Sequence, residues 1–269
     1  MPGAPRADLT GWTCAPFTGG GYTHDVYRRS PESPGPGVVL IPEMPGLTPE
    51  VLGLGNHLVD NGFTVASPSL YGTPGAEAQR PGMVPVMVRG CVAKEFAAFA
   101  TNKKRPVTYF LRALARDLNE KTPGRGVGVI GQCWSGGFAL AAAVDDAVLA
   151  PVLSQPSLPI GLTAAQRRDP GLSEDELQVV ERRAAEEGLC ALGLRFSEDR
   201  MAPGDRFKTL KDRLGDAFEV IEIDSRPGNS GGFGKMAHSV LTLEVREVEG
   251  QQAYQARERV VQFLKERLT

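Results

Sequence analysis

The feature that most constrains this chain is a recurring unit: a short apolar run, a turn, and then a stretch with helical spacing. Val38-Val39-Leu40-Ile41 is a β-branched run, followed by Pro42-Glu43-Met44-Pro45-Gly46 and Thr48-Pro49-Glu50. Threonine at an N-cap with proline at the first helical position starts a helix, and Val51, Leu54, Leu58 and Val59 give it an apolar stripe. Asn61-Gly62 closes that helix, and Phe63 to Ala66 reads as the next strand.

The rhythm returns in Arg105 to Glu120 (helix), Val127 to Ile130 (strand), Ser135 to Val144 (helix) and Ala147 to Leu153 (strand). Ser173-Glu174-Asp175-Glu176 has the form of a capping box for a helix through Glu187. Cys190 to Phe196, Phe218 to Ile223 and Gln251 to Leu268 complete the series as strand, strand and helix. Strands alternating with helices imply an α/β fold with a mostly parallel central sheet covered on both faces. Trp12 to Tyr27 lacks a helical partner and is expected to add antiparallel edge strands within residues 1–30.

Composition narrows the function classes. The 269 residues carry 30 Lys+Arg against 32 Asp+Glu, a net charge of −2, with no basic stripe to suit nucleic acid. Hydrophobic content of 41% and charged content of 23% are those of a globular chain. A length-based prior allows about two domains, but the continuous βα rhythm reads as one domain over residues 1–269. No apolar run approaches the roughly 20 residues of a membrane helix, and the start lacks the layout of a secretory signal. Cys14, Cys91, Cys133 and Cys190 are too widely spaced for a small disulfide scaffold or a zinc pattern. The expectation is a cytoplasmic protein with free thiols, a monomer or small homo-oligomer, with no metal or organic cofactor.

The most informative stretch is Val127-Gly128-Val129-Ile130-Gly131-Gln132-Cys133-Trp134-Ser135-Gly136-Gly137. It is a strand, a turn crowded with small residues, and an alanine-rich helix. A nucleophile elbow needs small residues two before the nucleophile and two or three after it. Gly131, Ser135 and Gly136 meet that demand if Cys133 is the nucleophile, and the helix start beyond it favours a thiolate. Ser135 is the rival, with Cys133 and Gly137 at its flanking positions, a poorer fit. A cysteine outside such a turn would read as a small buried hydrophobe.

A thiol nucleophile calls for a base and an orienting acid. Of the three histidines, His57 falls inside the first helix and His24 in the edge strands. His238 follows the glycine-rich loop after the last strand, where an α/β-hydrolase places its base. The acid falls between nucleophile and base in chain order, and Asp199 sits in a loop at a strand's carboxyl end, with Glu198 as its neighbour and competitor.

With these residues in view, the chain resembles the dienelactone hydrolase family of α/β-hydrolases from about Val38 to the C-terminus. The likeness rests on Gly131 to Gly137, on Ser197-Glu198-Asp199-Arg200-Met201-Ala202-Pro203, on His238, and on Glu43 in Ile41-Pro42-Glu43-Met44-Pro45-Gly46. The resemblance implies that Glu43 contacts the resting thiol and helps ionise it, since an ordinary thiol is only a few per cent thiolate at neutral pH. It also places an oxyanion hole at the backbone N–H groups of Trp134 and Met44. The implied substrate is a small lactone or activated ester, opened through an acyl-enzyme. A serine-type or promiscuous carboxylesterase, and a non-catalytic ligand-binding or thiol-sensing protein, are the alternatives.

The family's substrate arginines are matched less well. Where one follows the catalytic histidine, this chain has Ser239, Val240, Leu241 and Thr242. Arg89, ahead of Glu95-Phe96-Ala97-Ala98-Phe99, is the candidate for another. Residues 72–104 are expected to cover the pocket mouth, with Met83, Met87, Phe96 and Phe99 as candidate lining.

Overall fold

The computed structural model describes residues 3–77 and 96–269. Among these, eight strands form one sheet in the order β1-β2-β4-β3-β5-β6-β7-β8. The strands are β1 (Thr13–Gly19), β2 (Tyr22–Arg29), β3 (Gly37–Ile41), β4 (Thr64–Pro68), β5 (Val127–Gln132), β6 (Val148–Ser154), β7 (Ala191–Phe196) and β8 (Phe218–Ile223). β1 pairs antiparallel with β2, and β2 with β4; every later pairing is parallel. This is the α/β-hydrolase arrangement read from the sequence, including its antiparallel N-terminal edge.

The helices are α1 (Pro49–Asp60), α2 (Val107–Lys121), α3 (Gly136–Ala142), α4 (Ala164–Arg168), α5 (Glu174–Glu187), α6 (Gly204–Leu214) and α7 (Gln252–Leu268). Every residue of β3, β4, β5 and β7 is buried, because helices cover both faces. The core on one face gathers Val38, Leu40 and Ile130 with the apolar stripes of α1 and α7. The other gathers Val39, Ile41 and Val129 with α2, α3, α5 and α6. β8 alternates between buried and open positions, as a strand on the far edge must.

The local starts follow side-chain chemistry. Thr48 Oγ1 accepts the Val51 N–H at 3.4 Å, with Pro49 next in line. Ser173 and Glu176 form the reciprocal capping box that opens α5. α4 and α6 have no counterpart in the sequence reading. α6 starts at Pro203 with no side-chain cap bond, and shows only Phe207, Leu210 and Leu214 as apolar markers among charged residues. α4 is a five-residue helix that buries none of its side chains.

Between β6 and α5 the chain runs largely without regular structure, and its carbonyls are gathered by two buried arginines. Arg206 reaches the carbonyls of Asp169 at 2.6 Å, Pro159 at 2.7 Å, Gln166 at 3.0 Å and Pro156. Arg105 donates to Ala100 at 3.0 Å and to Gly171. Burial pushes the Arg206 guanidinium down to about 10, against the pull of Asp169, so it stays charged at neutral pH. Met83, Met87, Arg89 and Cys91 lie outside the described residues. Phe96 belongs to the core, edge-on to Tyr71 and stacked on Phe138, while Phe99 is half exposed. No helix among the described residues is long and apolar enough to cross a membrane. Replacing Arg206 with Leu strands three buried carbonyls and a part-buried one and should cost about 3 kcal/mol, read as a lower urea midpoint at unchanged slope.

Candidate active site

The order of strands reverses between β3 and β5, which lie side by side while their continuations diverge. In open α/β sheets such a reversal leaves a crevice at the carboxyl ends of the strands. Glu43 stands two residues beyond the end of β3, and Cys133 immediately beyond β5. Asp199 is three residues past β7, and His238 is in the long loop after β8. Four segments far apart in sequence therefore converge on one edge of the sheet.

Cys133 sits at φ +51°, a left-handed conformation unusual for a residue with a side chain. It opens a single 3-10 turn, Cys133–Ser135, that leads into α3. The tight turn explains its small residues: a Cβ on Gly131 would overlap the Ser135 carbonyl, and one on Gly136 would overlap Pro156. The sulfur is partly exposed, and Cys14, Cys133 and Cys190 are all free thiols. Trp134 is the second residue of the turn, so its N–H has no acceptor within the helix. Met44 follows Glu43 in a turn closed by the Gly46 N–H donating to the Glu43 carbonyl at 2.8 Å.

His238 Nδ1 lies 2.6 Å from Asp199 Oδ2, both side chains largely buried. Its Nε2 is buried without a hydrogen bond among the described residues, and Cys133 is the strongest influence favouring a proton on the ring. Burial works against the imidazolium, but Cys133 and then Asp199 outweigh it and hold the ring well above its ordinary 6.5. Asp199 is itself fixed: its Oδ1 accepts the Met201 N–H at 2.9 Å. Buried Arg195 donates from its guanidinium to the carbonyls of Ala202 at 3.0 Å and Ser197 at 3.1 Å in the same loop. Phe233 packs on Phe196 at 4.9 Å between ring centres, and Asn229 closes the glycine-rich turn around the Phe233 backbone. These contacts dock the histidine loop beside the acid loop.

Glu43 is buried and takes only neutral donors among the described residues. Ser239 Oγ donates to it at 2.7 Å, Gln155 Nε2 at 3.3 Å, and Thr242 Oγ1 to its other oxygen. The contact with the thiol expected from the resemblance is not among the hydrogen bonds of the described residues. Ser239 and Thr242 follow the histidine where the resemblance implies an arginine, and they donate to Glu43. Arg246 spends its donors on the carbonyls of Leu243 and Val245, at 2.6 and 2.8 Å. Burial is the strongest influence on the Glu43 carboxyl and pushes it above its ordinary 4.5, although Thr242, Ser239 and His238 oppose the rise.

Gln155, Ser239 and Thr242 were not among the residues picked out as catalytic. Gln155 is fully buried at φ +35°. Its side-chain amide joins Glu43 to the Val240 N–H, 3.4 Å away, so it bridges the β3 and histidine segments. The alternatives are also placed. Glu198 lies in the acid loop, where its N–H donates to Ser225 Oγ at 3.1 Å. His57 pairs with Glu258 of α7 at 3.1 Å, and His24 stands edge-on to Phe110.

An eight-stranded, mostly parallel sheet with a thiol elbow and a His–Asp pair at its carboxyl edge defines an α/β-hydrolase. The family profile for the dienelactone hydrolase family matches residues 24–268, and the chain belongs to that family. No curated protein matches it. A dienelactone hydrolase from Anabaena variabilis superposes with a TM-score of 0.62 at 14% identity, covering 96% of this chain and 98% of that one. A dienelactone hydrolase-like promiscuous phosphotriesterase from metagenomic libraries gives 0.65 at 16% identity, covering 96% and 98%. An α/β serine hydrolase homologue from Coxiella burnetii gives 0.54 at 11% identity, covering 94% and 97%. At these identities the likeness establishes the fold.

The direction of the Glu43 shift fixes a pH dependence. Its folded pKa lies above the ordinary 4.5, so the stability tied to its proton is complete below that value and is lost as pH rises through the folded pKa. Glu43→Gln removes the titration. Its melting temperature should exceed that of the parent by about 2–4 °C at pH 8 and match it near pH 4.5, as read by thermal melts at both.

Proposed function

We propose that the protein hydrolyses lactones or activated esters through a Cys133 thiolate and a thioester acyl-enzyme. The observation that carries this reading is Cys133 at φ +51° on a tight strand-to-helix turn, acting on a histidine whose Nδ1 lies 2.6 Å from Asp199. The substrate is a small molecule, with dienelactone-like compounds as the class.

Cys133 attacks the carbonyl carbon and a C–S bond forms. The charge that develops on the carbonyl oxygen is received by the N–H groups of Trp134 and Met44. Collapse breaks the acyl C–O bond, and the leaving oxygen, alkoxide or enolate, takes the His238 proton, which leaves the imidazole neutral. His238, oriented by Asp199, then removes a proton from water, which attacks the thioester and releases the thiolate. An enolate leaves readily, so a thiol suits an enol-lactone better than an unactivated amide. By the family resemblance Glu43 would help to ionise the thiol, and burial raises its affinity for a proton.

The serine-type alternative loses ground to the position of Ser135. Its hydroxyl is buried among backbone groups of Gln132, Ile41 and Pro42 and faces no histidine. A non-catalytic role finds no support in a His–Asp pair kept aligned by Arg195 and Phe233.

Cys133→Ala should lower kcat/KM on an activated aryl ester by at least about a thousand-fold, with an unchanged melting temperature. Full activity in that variant sinks the thiol reading, and an inactive Ser135→Ala beside an active Cys133→Ala would favour the serine reading.

A further inference from the structure

Ser135 lies in the elbow two residues after Cys133, and it is fully buried. Oγ accepts the Gln132 N–H at 3.0 Å. It also lies 2.9 Å from the Gln132 carbonyl, 3.1 Å from that of Pro42 and 3.3 Å from that of Ile41. The two groups of Gln132 belong to the end of β5, and the other two carbonyls to the end of β3. One side chain thus touches both strands at the point where they part.

The backbone alone cannot make that link. The β3–β5 ladder ends with Ile41 opposite Gly131. The next residue on β3 is Pro42, which has no N–H to donate. A second hydroxyl reaches the same place from another element: Tyr71 donates to the Pro42 carbonyl. Two hydroxyl groups, one from the elbow and one from the segment after β4, therefore converge on a single carbonyl two residues before Met44.

We propose that Ser135 is a positioning residue whose hydroxyl ties Pro42 to the end of β5 and so sets the separation of the two oxyanion donors, the N–H groups of Trp134 and Met44. Ser135 follows Trp134 directly, and Pro42 precedes Met44 by two residues, so the link is short on both sides. An oxyanion hole works only if its donors are aimed before the charge appears, and small displacements are costly. Tyr71 supports the same carbonyl through its own hydroxyl. The inference rests on the proposed thiol mechanism and adds a residue to it that does not touch substrate.

The test separates the oxyanion hole from the thiol. Hydrolysis of an aryl ester needs both, whereas alkylation of Cys133 by iodoacetamide develops no oxyanion. Ser135→Ala should lower kcat by about ten-fold or more while KM and the alkylation rate stay within about two-fold. Tyr71→Phe removes the other hydroxyl from the carbonyl and should lower kcat in the same sense, which keeps the proposal testable if Ser135→Ala does not fold. Unchanged kcat in the folded variants overturns the positioning role, as does a parallel fall in kcat and alkylation. Cys133→Ala, run alongside, tells the two failures apart. Hydrolysis retained in Cys133→Ala defeats the thiol mechanism itself. An inactive Cys133→Ala beside a fully active Ser135→Ala defeats only the positioning role.

Discussion

The site depends on the parallel pairing of β3 with β5 in the middle of the sheet. That pairing runs through Val38 to Ile41 against Gly128 to Gly131 and then stops. Beyond it one strand turns through Glu43 and Met44, and the other through Cys133 and Trp134. The crevice between the diverging ends is a consequence of topology: the chain proceeds to β4 on one side of β3 and returns to β5 on the other. The remaining parallel strands bring their own carboxyl ends to the same edge, so the acid and histidine loops have only a short distance to cover. Gly131 belongs to this constraint, because the elbow folds so tightly over the strand that any side chain there meets the Ser135 carbonyl.

Buried charge is handled in two different ways in this fold. Arg105, Arg195 and Arg206 each donate to several backbone carbonyls, which hold otherwise irregular loops in place. Glu43 is met by two hydroxyls and one amide. A carboxylate supported by neutral groups keeps a high proton affinity, while an arginine opposite it would pull that affinity down. The histidine shows the opposite balance, since the sulfur and Asp199 together outweigh the cost of burying its charge. The carboxyl of Glu43 and the ring of His238 are thus both shifted upward, for opposite reasons: burial in the first, neighbouring polar groups in the second.

Much of this was legible in the sequence because the signals were local. The elbow declares itself in seven consecutive residues, since small side chains there are a steric necessity of one turn. The strands β3, β5, β7 and β8 and the caps at Thr48 and Ser173 likewise depend on neighbours in the chain. Asp199 and His238 stand out by their order along the chain and their place after strands, and the fold brings them to 2.6 Å. Helix α6 was not found, because its start lacks a capping side chain and its few apolar residues are diluted by charge. The partners of Glu43 were out of reach for a different reason. Gln155, Ser239 and Thr242 lie 112, 196 and 199 positions from it, and only the folded sheet brings them together. Ser135 was noticed as a small residue and a rival nucleophile; the carbonyls that occupy its hydroxyl come from β3, 93 and 94 positions away.

The account turns on a covalent thioester at Cys133, and trapping it is the most direct measurement. An activated ester with a slowly hydrolysed acyl group, quenched in acid during turnover and digested, should leave that acyl mass on the Cys133 peptide, removable by neutral hydroxylamine. Acyl mass on Ser135 or another residue, or turnover with no acylated peptide at all, would contradict the thiol mechanism.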